Sequence, residues 1–218
     1  MFETVDLYCE RLSPGLWAEP INAFTNLSFL VAAFSSYYLA KRYSALLPSI
    51  WMLIGLMALI GAGSFVFHTL ANTWSRIADV VPILAFQVAF LWVYARQVIG
   101  MHRAGVVGIV FLFLCAAYLG RQFPDLLNGS LIYAPAFALV LGLGIFHWRN
   151  KRRGQALLLW ATVVFATSLF FRIIDLAVCN EVPTGTHFLW HLLNGLLVYL
   201  ATRSLIVNVP LEERKGNG

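Results

Sequence analysis

The feature that most constrains this chain is a succession of apolar stretches, each about the 20 residues that a bilayer core requires, separated by short breaks that carry its charges. They run 20–40, 49–70, 79–99, 104–121, 130–148, 155–177 and 187–207. The breaks are Lys41 and Arg42 with Pro48, Asn72 to Ala78, Met101 to Arg103, Gln122 to Gly129, Arg149 to Gly154, and Asn180 to Thr186. In hydrocarbon every backbone polar group must be satisfied within the protein, and continuous runs without a period of two favour helices over barrel strands. The chain is 60% hydrophobic and 11% charged, against about 25% charged in soluble domains, so the spans consume nearly all of its 218 residues. The expected fold is an all-α membrane protein, a seven-transmembrane helix bundle over 20–208, with an extracytoplasmic segment 1–19 and a cytoplasmic tail 209–218. No signal peptide is expected, because MFETVDLYCER lacks a basic start and an apolar core. The net charge of +5 does not imply nucleic acid, since the basic residues lie in short loops and form no continuous surface.

Lysine and arginine are unevenly divided between the two sides of such a bundle. One side carries Lys41, Arg42, Arg96, Arg103, Arg149, Lys151, Arg152, Arg153, Arg203, Arg214 and Lys215, and the loops of the other carry Arg11, Arg76 and Arg121. The positive-inside rule then places the N-terminus outside and the C-terminus in the cytoplasm, which requires an odd number of spans.

In that topology the polar residues that interrupt the apolar runs converge on the outer face. His187 and His191 in THFLWHLLNG share one helix face at i, i+4; His68 ends the second stretch with Ser64 one turn before it; Asp79 opens the third. An isolated pair of histidines at this spacing reads equally as a metal site or as two interfacial side chains, and the added His68, Ser64 and Asp79 favour the metal. Three neutral imidazoles with a position left open are the arrangement of a catalytic zinc, and no Met or Cys ligand points to copper or iron. His102 and His147, beside arginines on the basic side, read as interfacial side chains. With no Glu inside the histidine pair, Asp79 is the candidate for proton transfer. Ser64 reads either as a hydrogen-bond donor to the water or oxyanion, or as a small packing residue within GAGS. Arg172 and Asp175 read as a mutual ion pair, or Asp175 as an outer partner of a zinc histidine.

The segments YCER, WAEPINAFTNLSF, GAGSFVFHTLANTWSRIADVVPIL and THFLWHLLNG resemble, in order, the alkaline ceramidase branch of a seven-helix membrane hydrolase superfamily. That superfamily also holds the adiponectin and progestin receptors and lipid-remodelling ester hydrolases. The resemblance implies zinc on His68, His187 and His191, with Ser64 and Asp79 beside the water. DLYCER resembles a calcium-binding acidic segment, which implies calcium on Asp6, Glu10 and Glu19, although Leu12 stands where a polar ligand is expected. The partner implied is a membrane lipid: ceramide or a related N-acyl lipid, cleaved to a sphingoid base and a fatty acid. Phe65, Phe67, Phe188 and Trp190 would flank its chains. The alternatives are an ester-lipid hydrolase and a non-catalytic lipid sensor. A transporter is disfavoured because the polar groups gather at one end and form no path.

Cysteine completes the reading. Cys115, within VFLFLCAAYL, is expected to be a buried small hydrophobe. Cys9 and Cys179 both fall on the outer side, where an oxidising compartment permits a disulfide, and are expected to be bonded.

Overall fold

A computed structural model describes residues 4–13 and 15–209; Arg214, Lys215 and all of the expected tail but Val209 lie outside the described residues. Among them the protein is all-helical, with one isolated antiparallel bridge between Thr4 and Asn72. Seven helices are long and apolar enough to cross a membrane: α1 Pro20–Arg42, α2 Pro48–Leu70, α3 Thr73–Ile99, α4 Arg103–Arg121, α5 Ser130–Arg149, α6 Leu157–Ala177 and α7 His187–Ile206. Prolines open α1 and α2, where the missing N–H costs nothing. Each helix packs against the next in sequence, and α7 closes the ring by packing on α1 as well as α6.

Enclosure differs sharply around the ring. In α7, 61% of the most apolar window is buried inside the protein, against 11% in α4, so α7 is the axis of the bundle and α4 its perimeter. The position of α4 corrects the expectation for Cys115, which is exposed on the outward face of a helix with few neighbours to enclose it.

The third helix starts earlier than its hydropathy suggests. Asn72 accepts a hydrogen bond from the Ser75 amide and Ser75 returns one to the Asn72 N–H, a capping box that begins α3 at Thr73. Asp79 therefore lies about two turns inside the helix and does not open it. Glycines on α2 fix where the neighbouring helices sit. A Cβ at Gly61 would come within 3.1 Å of the Asn26 carbonyl on α1, and one at Gly63 would collide with the Ala78 carbonyl on α3. Of the GAGS run, Gly63 makes the close approach to α3 and Ser64 is left to serve the interior.

At the end of the bundle where α2 stops and α7 starts, the segment preceding α1 folds back over the helix ends. Val5 N–H donates to the Ala71 carbonyl at 2.8 Å, and a disulfide joins Cys9 to Cys179. Both oxygens of Glu10 cap the first turn of α1, accepting from the Ile21 and Asn22 amides at 2.6 and 2.8 Å. At the opposite end His147 is fully buried and not interfacial: Nδ1 meets the Tyr94 hydroxyl at 2.5 Å and Nε2 meets the Arg153 carbonyl at 3.0 Å. Its partners lie on a neighbouring helix and in a loop, so residue spacing along the chain could not reveal them.

Candidate metal centre

His68 stands in the last turn of α2 and His187 and His191 in the first two turns of α7, and all three are buried to 2% exposure or less. Their ring centroids are 5.4, 4.7 and 4.6 Å apart, and one potential ligand atom from each lies within 4.8 Å of the others. Among the described residues this is the one cluster of histidine, cysteine or carboxylate groups suited to an ion.

The hydrogen bonds around the rings decide what the cluster can hold. His68 Nδ1 meets the Glu19 carboxylate at 2.5 Å; a carboxylate only accepts, so this nitrogen carries the proton and Nε2 is left with a lone pair. His191 Nδ1 meets the Thr25 hydroxyl at 3.0 Å, and that hydroxyl already donates along its own helix to the Ile21 carbonyl at 2.8 Å. Thr25 therefore accepts from His191, whose Nε2 also keeps a lone pair. These two Nε2 atoms face each other at 3.1 Å. Two lone pairs at that distance repel unless a cation sits between them. Ligands about 2.0–2.1 Å from a tetrahedral zinc lie about 3.3–3.4 Å apart, so the spacing suits a shared ion. His187 Nδ1 is buried without a hydrogen-bond partner among the described residues, a further unspent ligand atom. The donor set fits zinc, with Glu19 and Thr25 as the outer partners that metal-bound imidazoles ordinarily have.

Glu19 is held from its other side by Arg11. The Arg11 Nε meets Glu19 Oε1 at 2.5 Å and Nη2 donates to the His68 carbonyl at 3.3 Å. Burial alone would raise the Glu19 carboxyl, but the hydrogen bonds from His68 and Arg11 and the charge of Arg11 outweigh it and bring it below its ordinary value. The three residues named for calcium differ in what engages them. Glu10 spends both oxygens on backbone amides and Glu19 is committed to Arg11 and His68. Asp6 is exposed and joins neither in a group suited to an ion. The guanidinium already supplies the positive charge that an acidic pair would seek.

Ser64, 3% exposed and one turn before His68, lies beside Asp79, whose Oδ1 is buried without a hydrogen-bond partner among the described residues. Asp175 is fully buried and serves the backbone: Oδ1 accepts from the Thr186 and His187 amides at 2.6 and 2.9 Å, and Oδ2 from the Cys9 amide at 3.3 Å. It thus caps α7 and holds the main chain of His187, without touching the ring. The preceding turn needs Gly185, at φ 62°, because a Cβ there would collide with that carboxylate. Arg172 does not pair with Asp175. It donates to the Asn128 carbonyl at 2.7 Å and the Ser130 hydroxyl at 2.6 Å and lies over the rings of Tyr133 and Trp190. Tyr8, from the covering segment, stacks on His187 with centroids 3.7 Å apart, and burial pushes its phenol well above the ordinary range, so it stays protonated.

Seven membrane-length helices with a buried three-histidine cluster at one end define a multi-pass membrane protein with a candidate metal centre. The family model described as Ceramidase matches residues 8–217, and the chain belongs to that family, whose name implies a lipid amide hydrolase. Comparison with curated proteins and with solved structures finds no match.

Proposed function

We propose that the protein is a zinc-dependent amidase that hydrolyses the N-acyl bond of ceramide-like lipids to a sphingoid base and a fatty acid, at the extracytoplasmic face of its membrane. The observation that carries this reading is the pair of Nε2 atoms of His68 and His191 facing each other at 3.1 Å, with Asp79 on the adjoining helix and its Oδ1 buried without a hydrogen-bond partner among the described residues. When bound, zinc supplies a water acidic enough to attack at neutral pH and a Lewis acid for the carbonyl oxygen.

The chain's own groups perform the proton work. Asp79 takes the proton lost as water attacks the amide carbon and returns it to the departing nitrogen. While Asp79 is ionised, Ser64 donates to it. Once Asp79 is protonated it donates to Ser64 instead, and the Ser64 O–H is free for the developing oxyanion. Inward from the histidines, a small apolar cavity of about 70 Å³ among α1, α2, α3, α5, α6 and α7, lined by Phe86, Phe90, Val140, Phe165, Trp190 and Leu197, marks where a hydrocarbon chain would enter by parting these side chains. The carboxylate, hydroxyl and histidines thus supply the proton-transfer groups and metal ligands that cleavage of a lipid amide carbonyl requires.

The test is metal analysis and hydrolysis by the purified protein. About one zinc per chain is expected, with release of sphingoid base and fatty acid from ceramide, and both are expected to disappear in His191→Ala. Cleavage of ester lipids but no ceramide would move the reading to an ester hydrolase, and full zinc occupancy in His191→Ala would remove the shared site.

A further inference from the structure

Two of the three histidines are oriented by hydrogen bonds, His68 through Glu19 and His191 through Thr25. His187 is not: its buried Nδ1 finds no partner among the described residues, and its main-chain N–H is what Asp175 holds. A ring on a rotatable Cα–Cβ–Cγ linkage needs some restraint to keep a nitrogen aimed at an ion. Stacking supplies it here. Tyr8 lies on one face with centroids 3.7 Å apart and planes 20° from parallel, and Trp190 lies at 6.5 Å and 19°, completing a near-parallel series of three rings. Tyr8 also tilts against His68 at 5.2 Å and meets Phe67 edge-on at 6.4 Å, so it touches two of the three imidazoles.

Trp190 belongs to the same helix as His187, but Tyr8 arrives from a segment with no helix of its own. Its position depends on its neighbours. Cys9, the next residue, is bonded to Cys179 and donates its N–H to Asp175; Glu10 is fixed on the start of α1; Val5 is bonded to Ala71. Of these tethers the disulfide is the one that a change of thiol state removes.

We propose that Tyr8 is the positioning residue of His187, doing by ring stacking what Glu19 and Thr25 do by hydrogen bonding. We further infer that the Cys9–Cys179 bond, by holding Tyr8 in place, makes metal retention depend on the oxidised state of that pair. The proposal rests on the reading that the three histidines hold the metal. It makes the N-terminal segment part of the site and not only a lid over it.

The experiment measures zinc affinity of the full chain in detergent by competition with a chelating dye, independently of turnover. Loss of an outer partner typically weakens metal binding by about 10–100-fold, and that is the loss expected for Tyr8→Leu. Tyr8→Phe keeps the ring and is expected to bind like wild type, a rescue that a role for the hydroxyl would not give. Tyr8→Met, apolar and of similar length without a ring, gives the same loss and serves if the Leu variant does not fold. The double variant Cys9→Ser/Cys179→Ser, with no added reductant to compete for zinc, is expected to weaken binding in the same direction. Wild-type affinity in Tyr8→Leu and Tyr8→Met overturns the positioning role, equal loss in Tyr8→Phe overturns stacking, and wild-type affinity in the double serine variant overturns the redox dependence. Should the wild type itself bind no zinc, or His191→Ala bind as well as wild type, the metal reading fails and not this part of it alone.

Discussion

The proton-transfer roles proposed for Asp79 and Ser64 can be separated from the metal by experiment. Asp79→Asn keeps the size and one carbonyl oxygen but removes the base, and positioned acid–base groups contribute about 10²–10⁴ in rate. The expected result is a protein that retains its zinc and loses turnover by that factor; a variant with more than about a tenth of wild-type turnover would mean that another group moves the proton. Arg11 yields a second expectation. Because its guanidinium lies on Glu19, in the place where the sequence resemblance implies calcium, titrating calcium-depleted, zinc-loaded protein to about 1 mM calcium should leave hydrolysis unchanged. A calcium-dependent rise in rate would show that Arg11 gives way to the ion. At this scale His187 and His191 were legible because i, i+4 spacing survives folding, and His68 because it ends an apolar stretch on the same side of the bundle. Thr25 was not, since a threonine in an apolar helix normally bonds its own helix carbonyl and nothing in its neighbours announces an imidazole opposite. The Arg11–Glu19 pair was equally hidden, because it exists only once the segment before α1 doubles back over α2.

Between elements, the decisive contact is the close approach of α2 and α3, which brings His68 and Ser64 on one helix to Asp79 on the other. Two glycines of α2 make the test internal. A Cβ at Gly55 meets nothing within 4 Å, whereas one at Gly63 strikes the Ala78 carbonyl. Replacing a helical glycine by alanine where space allows stabilises by about 0.4–1 kcal/mol, and overpacking costs about 1–3 kcal/mol. Gly55→Ala is therefore expected to melt in detergent at or above the wild-type temperature and Gly63→Ala below it, with reduced zinc content because the helices spread at the site. Equal melting temperatures would show that α3 shifts at no cost. The spans themselves could be read from hydropathy, but the start of α3 could not. Asn72 to Ala78 looks like a break by composition, and only the reciprocal Asn72 and Ser75 hydrogen bonds make it the first turn of a helix, which moves Asp79 inward to the level of Ser64.

For the molecule as a whole, the orientation in the membrane decides which compartment the site serves, and two unrelated arguments support the orientation proposed. Lys41, Arg42, Arg149, Lys151, Arg152 and Arg153 lie at the end opposite the histidines, where the positive-inside rule places the cytoplasm. The Cys9–Cys179 bond lies at the histidine end, and a persistent disulfide belongs in an oxidising compartment. The order of helices and the position of these charges were legible in the sequence. The covering segment was not, because its placement depends on contacts with α1, α2 and the loop before α7 that leave no periodic signal. The orientation can be read in intact cells with a membrane-impermeant maleimide, in a background where the exposed Cys115 is replaced by alanine and the disulfide leaves no other free thiol. A cysteine placed at Gln122, in the exposed connection between α4 and α5 on the histidine end, should be labelled without permeabilisation. One placed at Asn150, between α5 and α6, should be labelled only after it. The reverse pattern would put the metal centre in the cytoplasm, where the disulfide would be reduced and Tyr8 would lose its anchor beside His187.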